Sequence, residues 1–263
     1  MKILQIASGS DGNATYIESN GTGILIDCGV SKKVIVSHLA PYNHDLSNID
    51  AILITHEHTD HVKGLVPLFN ASNADVYLTK GTFSGLNNQT KEKIDSARVK
   101  YIESGDFIRI GEIEIEVIKT FHDAREPIGF IIRDLENKLV YITDTGYIHK
   151  DILNKISNAN FYIFESNHDP EMLMESDRPY ETKIRIAGDS GHLSNEDSAY
   201  IMSRVVGPLT KTIMLAHMSR ECNLSEIALN TYKRVFKDNN VSLDNIELIC
   251  LTNEGYEEIT IWK

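Results

Sequence analysis

The sequence has no uninterrupted apolar run near the roughly 18 residues that a membrane-crossing helix needs. Its first residues, Met1-Lys2-Ile3-Leu4-Gln5-Ile6-Ala7, are of strand length and run straight into polar residues, unlike a secretory signal. A cytoplasmic location without membrane association is expected. Cysteine is scarce as well. Cys28, Cys222 and Cys250 are three in number, with no CxxC spacing, so neither a disulfide framework nor a thiolate zinc site is indicated, and they read as small buried hydrophobes. Positive charge is in deficit, with 26 Lys and Arg against 38 Asp and Glu and a net charge of −12. That balance argues against a broad electrostatic grip on nucleic acid or on an anionic membrane. A polyanionic substrate would have to be held locally. Carboxylates gathered around divalent cations would satisfy both demands, because they raise the negative count while the loaded site is locally positive.

Nor is there a low-complexity linker or an internal repeat. With 263 residues and 41% hydrophobic content, the chain suffices for one substantial domain. Strands are expected at Lys2–Ala7, Ala14–Ser19 and Gly23–Asp27, joined by turn formers as in a meander. A helix follows over Ser31–Leu39, capped by Ser31 and closed by Pro41. Ala51–Ile54 reads as a buried strand and Val62–Phe69 as a short helix. Further strands are expected at Asp75–Leu78, Val99–Ile102, Ile113–Ile118, Ile128–Arg133, Leu139–Thr143, Phe161–Phe164, Thr212–Ala216 and Ile246–Leu251. Residues 150–158, 194–206 and 224–237 have helical spacing. Strands in both halves, each with its own helices, suggest an α/β sandwich of two sheets with helices outside. Periodicity alone leaves a doubly wound single sheet as a rival.

The stretch THEHTDH, Thr55 to His61, places three histidines and two carboxylates directly behind the apolar run Ala51–Ile54. Residues two apart in an extended segment point to the same side, so His56 and His58 can ligate one ion. If a helix begins near His61, Asp60 and His61 sit in its first turn and can face a second ion. Imidazole and carboxylate ligands suit Zn²⁺, with Mn²⁺ or Fe²⁺ as competitors. The plain alternative is a polar turn with Asp60 as a helix cap. The pattern is not the HExxH protease helix, since Glu57 lies between histidines two apart.

THEHTDH after AILI resembles the signature of the metallo-β-lactamase-fold hydrolases, and the other stations of that superfamily follow in order: ILIDCG with Asp27, KTFHDAREPIGF with His122, VYITDTGY with Asp144 and MLAHMS with His217. The resemblance implies that His56, His58 and His122 hold one metal and that Asp60, His61 and His217 hold the other, with Asp144 bridging. Asp27 would orient a ligand from behind it. SGSDGNATYIES, HDAREPIGF, TDTGYI, ESNHDPEML, GDSGHLSNEDSA and LAHMSRECN together resemble the WalJ/YycJ subgroup. The superfamily fold is an αββα sandwich, here expected as a single domain over 1–263 without the inserted domain of β-CASP-type RNA-processing enzymes.

Outside the ligand set, two readings of His192 stay open. It is a loop histidine before a helix capped by Ser194, or it binds the substrate phosphate or protonates the leaving oxygen. His168 is balanced between a structural hydrogen bond and the lining of a pocket. Asn13, in its glycine-rich loop, offers an amide to an anion or merely shapes the loop. Asn13, His168, His192 and Ser194 are therefore the expected substrate contacts, and Asp60, Asp144 and His192 the expected catalytic residues. His38, His44 and His149 are expected to be exposed. Lys32, Lys33, Arg125, Lys183 and Arg185 are potential phosphate contacts whose default reading is charged surface.

Two ions about 3.5–4 Å apart can share a water and lower its pKa toward neutrality, so a metal-held hydroxide is the expected nucleophile toward phosphorus. The subgroup resemblance implies a nuclease, a 5′→3′ exonuclease acting on DNA ends. The alternative is a hydrolase of a small phosphodiester, thioester or lactam with the same metal pair.

Overall fold

Thirteen strands among the described residues form two sheets that stand face to face. In this computed structural model, which describes residues 1–251, the first sheet runs β1 (Lys2–Ala7), β2 (Ala14–Ser19), β3 (Thr22–Ile26), β4 (Ala51–Leu53), β5 (Asp75–Leu78) and β6 (Val99–Tyr101), in space as in sequence. The second runs β7 (Phe107–Ile110), β8 (Ile113–Lys119), β9 (Ile128–Arg133), β10 (Lys138–Ile142), β11 (Phe161–Glu165), β12 (Thr212–Ala216) and β13 (Glu247–Cys250) in the same fashion. The last part of the expected 1–263 domain, residues 252–263, lies outside the described residues.

Each sheet begins as an antiparallel meander, β1 to β3 and β7 to β10, and continues in parallel strands, β3 to β6 and β10 to β13. Parallel neighbours need crossover connections, and the helices fall in them. The first sheet carries α1 (Lys32–Leu39), α2 (Thr59–Val62), α3 (Leu65–Phe69), α4 (Lys80–Gly85) and α5 (Asn88–Lys93). The second carries α6 (Lys150–Ile156), α7 (Pro170–Glu175), α8 (Tyr180–Ala187), α9 (Asn195–Val205) and α10 (Ser225–Asp238).

Alternation along the strands assigns the layers. Ile24 and Ile26 of β3 meet Leu139 and Tyr141 of β10 between the sheets. Leu25 turns outward onto Ile35, Leu39, Leu65 and Leu68 of α1 and α3, while Val140 and Ile142 turn onto Ile156, Met202, Tyr232 and Phe236 of α6, α9 and α10. Because both faces are covered, these strands read as continuous apolar runs. Each such buried side chain stabilises the fold by about 1.5–3 kcal/mol relative to exposure. The result is the αββα sandwich, and the doubly wound rival is gone. Among the described residues, no helix is long and apolar enough to cross a membrane.

Several expectations need correction. The helix expected over Val62–Phe69 is two helices parted at Gly64, whose N–H donates to the Cys28 carbonyl at 2.7 Å. A side chain there would lie 2.1 Å from the Val30 carbonyl oxygen, so the chain bends where only glycine fits. Helix α1 ends at Leu39, before Pro41, as expected, and Pro41 then sits in a separate 3₁₀ turn over Ala40–Tyr42. His38 and His44 are half-buried instead of exposed. His44 Nε2 lies 3.1 Å from Glu18, and His38 Nδ1 lies 2.9 Å from the Val34 carbonyl. His149 accepts from the Asp151 N–H and caps α6. Cys28 and Cys222 are buried, but Cys250 is only partly so. Strand β7 and helices α4, α5, α7 and α8 were not expected. α4, α5 and α7 are six residues each, too short to show a period, and their signals are caps alone: Thr79, Asn87, and Asp169 before Pro170.

Candidate metal centre

The chain leaves β3, β4, β8, β10, β11 and β12 at one end of the sandwich, and the residues just beyond those strands converge there. Three of them take the left-handed backbone conformation that side-chain-bearing residues rarely adopt: Asp27 after β3 at φ 57°, Asp144 after β10 at φ 54° and His217 after β12 at φ 54°. Each turns sharply out of its strand and delivers a polar group to the same place.

All seven expected ligands come together. His56, His58 and His122 form one group, Asp60, His61 and His217 another, and Asp144 joins His56 and His61 in a third, the ligating atoms of each group lying within 4.8 Å of one another. His61 Nε2 is 3.4 Å from Asp60 Oδ2 and 3.3 Å from Asp144 Oδ2, and His217 Nε2 is 3.3 Å from Asp144 Oδ1. Ligand bonds of about 2.0–2.1 Å in tetrahedral geometry place neighbouring donor atoms roughly 3.3–3.4 Å apart. These contacts have that spacing. Buried His56 Nε2, His217 Nε2 and Asp144 Oδ2 have no hydrogen-bond partner, as befits atoms that face an ion.

The opposite ring nitrogens are anchored. His61 Nδ1 lies 2.8 Å from Asp27 Oδ2, His217 Nδ1 lies 3.2 Å from Glu165 Oε1, His122 Nδ1 donates to the Gly191 carbonyl at 3.0 Å, and His56 Nδ1 is 3.1 Å from the Thr55 hydroxyl. Such partners fix which nitrogen faces a metal. Thr55 also donates its hydroxyl to Asp27 at 2.9 Å, so the first residue of THEHTDH braces two of its histidines.

The electrostatics call for positive charge. Burial opposes protonation of His217, yet Asp144, Asp60 and Glu165 push its pKa up to about 10. Burial likewise opposes a charge on His61, but Asp27 and Asp144 raise it well above the ordinary imidazole range. Asp60 and Asp144 are held well below the usual carboxylate range, burial notwithstanding, by hydrogen bonds and charge from the surrounding imidazoles. His56 is lowered by burial and by the neighbouring His61. Carboxylates held ionised beside imidazoles that a metal would strip of their extra protons are a donor set for divalent ions.

The expected substrate contacts fare differently. His192 stands at the centre, its ring stacked on His217 at 5.1 Å and its Nδ1 2.7 Å from Glu165 Oε1. Asn13 faces inward: it is 1% exposed, its amide oxygen accepts from Gly9, and its Nδ2 lies 3.0 Å from His61 Nε2 and 3.3 Å from Asp60 Oδ2. It braces the ligands from beneath. Ser194 caps α9, with its hydroxyl donating to Asp197 Oδ2 at 2.6 Å and accepting from the Asp197 N–H. His168 is 3% exposed, its pKa lowered by burial to about 4, and its Nδ1 is without a partner.

Glu165, absent from the expected site, is fully buried at the end of β11. Its Oε1 faces His192 and His217, and its Oε2 accepts from the N–H groups of Thr145 at 2.7 Å and Leu193 at 3.3 Å. Burial pushes its pKa up, but the two histidines hold it at about 2. Four nitrogens meet its oxygens, so it anchors His192 and His217, and with these and Asp144 it makes a fourth group of ligating atoms within 4.8 Å of one another. Glu165 closes the apolar run FYIFE and opens the ESNHDPEML motif, so the resemblance marked its position without giving it a role.

Residues 22–218 match the beta-lactamase superfamily domain. The chain is 39% identical over 228 residues to the exodeoxyribonuclease WalJ of Streptococcus pneumoniae, covering 86% of this chain and 85% of that protein. It is 36% identical over 233 residues to the exodeoxyribonuclease YycJ of Bacillus anthracis, covering 89% and 88%. Among solved structures, the metallo-beta-lactamase fold protein YhfI from Bacillus subtilis superposes with a TM-score of 0.72 at 18% identity over 100% of this chain and 99% of that one.

Proposed function

The chain belongs to the beta-lactamase superfamily domain family and, within it, to the WalJ/YycJ group, and from that premise we propose that it is a cytoplasmic 5′→3′ exonuclease acting on DNA ends with two divalent metal ions. His56, His58 and His122 would hold one ion and Asp60, His61 and His217 the other, with Asp144 placed to serve both groups. Zinc suits these donors best, with manganese and iron as competitors. Bound there, the pair supplies Lewis acidity, neutralising charge on the phosphoryl oxygens and acidifying water.

The chain's own groups do the rest. Asp27, Gly191 and Glu165 aim the ligating imidazoles. Glu165 also fixes His192 by its Nδ1, which leaves Nε2 to meet the substrate; with both ring nitrogens protonated, His192 would give its Nε2 proton to the leaving oxygen and keep the Nδ1 proton on Glu165. Substrate is gripped locally. Of the nearby cations, Arg185 is paired with Asp123 and Lys183 donates to the Met174 carbonyl, while the Arg125 side chain has no ion pair among the described residues. A net charge of −12 and so few cations mean fewer than about four phosphate contacts, each adding a slope of about −0.9 in log K against log salt on duplex DNA.

The observation that carries the reading is the convergence of seven ligating side chains in a chain matched over most of its length by exodeoxyribonucleases. The test uses metal-loaded protein with single- and double-stranded DNA and RNA, labelled at either end, beside covalently closed circles. Early release of a labelled mononucleotide from the 5′ end, with closed circles intact, is expected. Equal cutting of closed circles refutes end-directed action. Cleavage of a small ester without action on any polynucleotide moves the assignment to a small-molecule hydrolase.

A further inference from the structure

Asp123 follows His122 and lies on the solvent side of the His56–His58–His122 group, the three-nitrogen half of the centre. Its Oδ1 is 3.1 Å from His122 Nε2 and 4.0 Å from His58 Nε2. Its Oδ2 is engaged by Arg185 from α8. An arginine fork and a carboxylate commonly pair through both oxygens. Here one oxygen is withheld from the fork and turned toward the imidazoles.

Two features make that orientation more than an ordinary contact. His122 Nδ1 donates to the Gly191 carbonyl, so in the neutral ring that a metal requires, Nε2 presents a lone pair. Asp123 Oδ1, 3.1 Å from that nitrogen, stands close to the roughly 3.3–3.4 Å that separates two donors on one tetrahedral ion, so the pair can share a proton or a metal ion. The loop is also anchored beside His58: the Arg125 N–H donates to Glu57 Oε1 at 2.9 Å, and Glu57 packs against Gly85 of α4. Asp123 is thus held at the open rim next to His58, whose side chain is 37% exposed.

We infer that Asp123 is an additional carboxylate ligand of the ion held by His56, His58 and His122, positioned by Arg185. The inference rests on the two-metal reading of the centre. It adds a hard oxygen donor to a site otherwise served by three nitrogens and the bridging Asp144, and so shifts its preference toward Mn²⁺.

The test is metal binding, read without reference to activity. Wild type and the Asp123→Ala, Asp123→Asn and Arg185→Ala variants are dialysed against buffered Zn²⁺ or Mn²⁺, their metal content is measured, and the visible absorption of their Co²⁺-substituted forms is recorded. Asp123→Ala is expected to keep one ion at wild-type affinity and to bind the other at least about tenfold more weakly, the scale on which site partners act, with Mn²⁺ losing more than Zn²⁺. The Co²⁺ bands should shift in the same variant. Asp123→Asn, which keeps the shape, should fall between Asp123→Ala and wild type, and Arg185→Ala, which leaves the carboxylate but frees its orientation, should weaken the same ion by less than Asp123→Ala. Wild-type affinity and unchanged Co²⁺ bands in both Asp123 variants overturn the inference while leaving the two-metal reading intact. A wild-type chain that binds fewer than two ions overturns both.

Discussion

Replacing Glu165 with glutamine changes one oxygen to an amino group and little else, which makes it a sensitive probe of the buried anchor beneath the centre. Both carboxylate oxygens receive only donors: Oε1 the Nδ1 groups of His192 and His217, and Oε2 the N–H groups of Thr145 and Leu193. Turned toward Thr145 and Leu193 the NH₂ confronts two fixed N–H donors, and turned the other way it forces His192 and His217 to surrender their Nδ1 protons, in a place without water access. Each buried donor left unpaired costs about 1–3 kcal/mol, so Glu165→Gln should destabilise the fold by about 2–6 kcal/mol. At roughly 2–4 °C per kcal/mol for a chain of this size, the melting temperature should fall by roughly 5–20 °C. Thermal unfolding followed by circular dichroism in chelator-containing buffer reads this without the added stabilisation of bound metal.

The pH dependence carries a second signature. The native carboxyl is depressed to about 2 from 4.5, so its contribution is fully present above 4.5 and is lost as the pH falls toward 2. The gap between wild type and Glu165→Gln should therefore be widest near neutrality and narrow below pH 4.5. A variant melting within about 2 °C of wild type at pH 7, or a gap that ignores pH, would refute the reasoning.

Metal analysis should find two divalent ions per wild-type chain, and Asp144→Ala should lose more metal than a surface control such as Lys32→Ala; a single tightly held ion in fully active protein would sink the dinuclear reading. His192→Ala should keep both ions and the fold while phosphodiester turnover falls by roughly 10²-fold, the scale of a lost proton donor. Loss of metal, or unchanged turnover, would return His192 to a structural role.

What could be seen in advance divides along a physical line. THEHTDH was legible because its ligands are neighbours in the chain, and the strands were legible because burial on both faces makes them plainly apolar. Glu165 was not, since its role depends on Thr145, His192 and His217, which only the folded chain brings together. Asn13 was read either as a donor to an anion or as a shaper of its glycine-rich loop, and the sequence could not show which way its side chain turns. Its backbone N–H donates to the Asp60 carbonyl at 2.7 Å, and its side-chain amide meets His61 and Asp60, contacts that only the fold brings about. Helices α4, α5 and α7 escaped notice because six residues do not reveal a period.

The left-handed turns at Asp27, Asp144 and His217 have an evolutionary corollary. A residue with a side chain is disfavoured there by roughly 1–2 kcal/mol, whereas glycine accepts that conformation at no steric penalty. Selection for chemistry is what keeps two aspartates and a histidine in seats made for glycine. In a duplicated copy released from that selection, these three positions can drift toward glycine with a gain in backbone comfort, while His56 and His58, on ordinary extended backbone, gain nothing of the kind by changing. Decay of the centre should thus be written first at the far-flung strand ends, and a descendant can still display HxHxDH after its chemistry has gone.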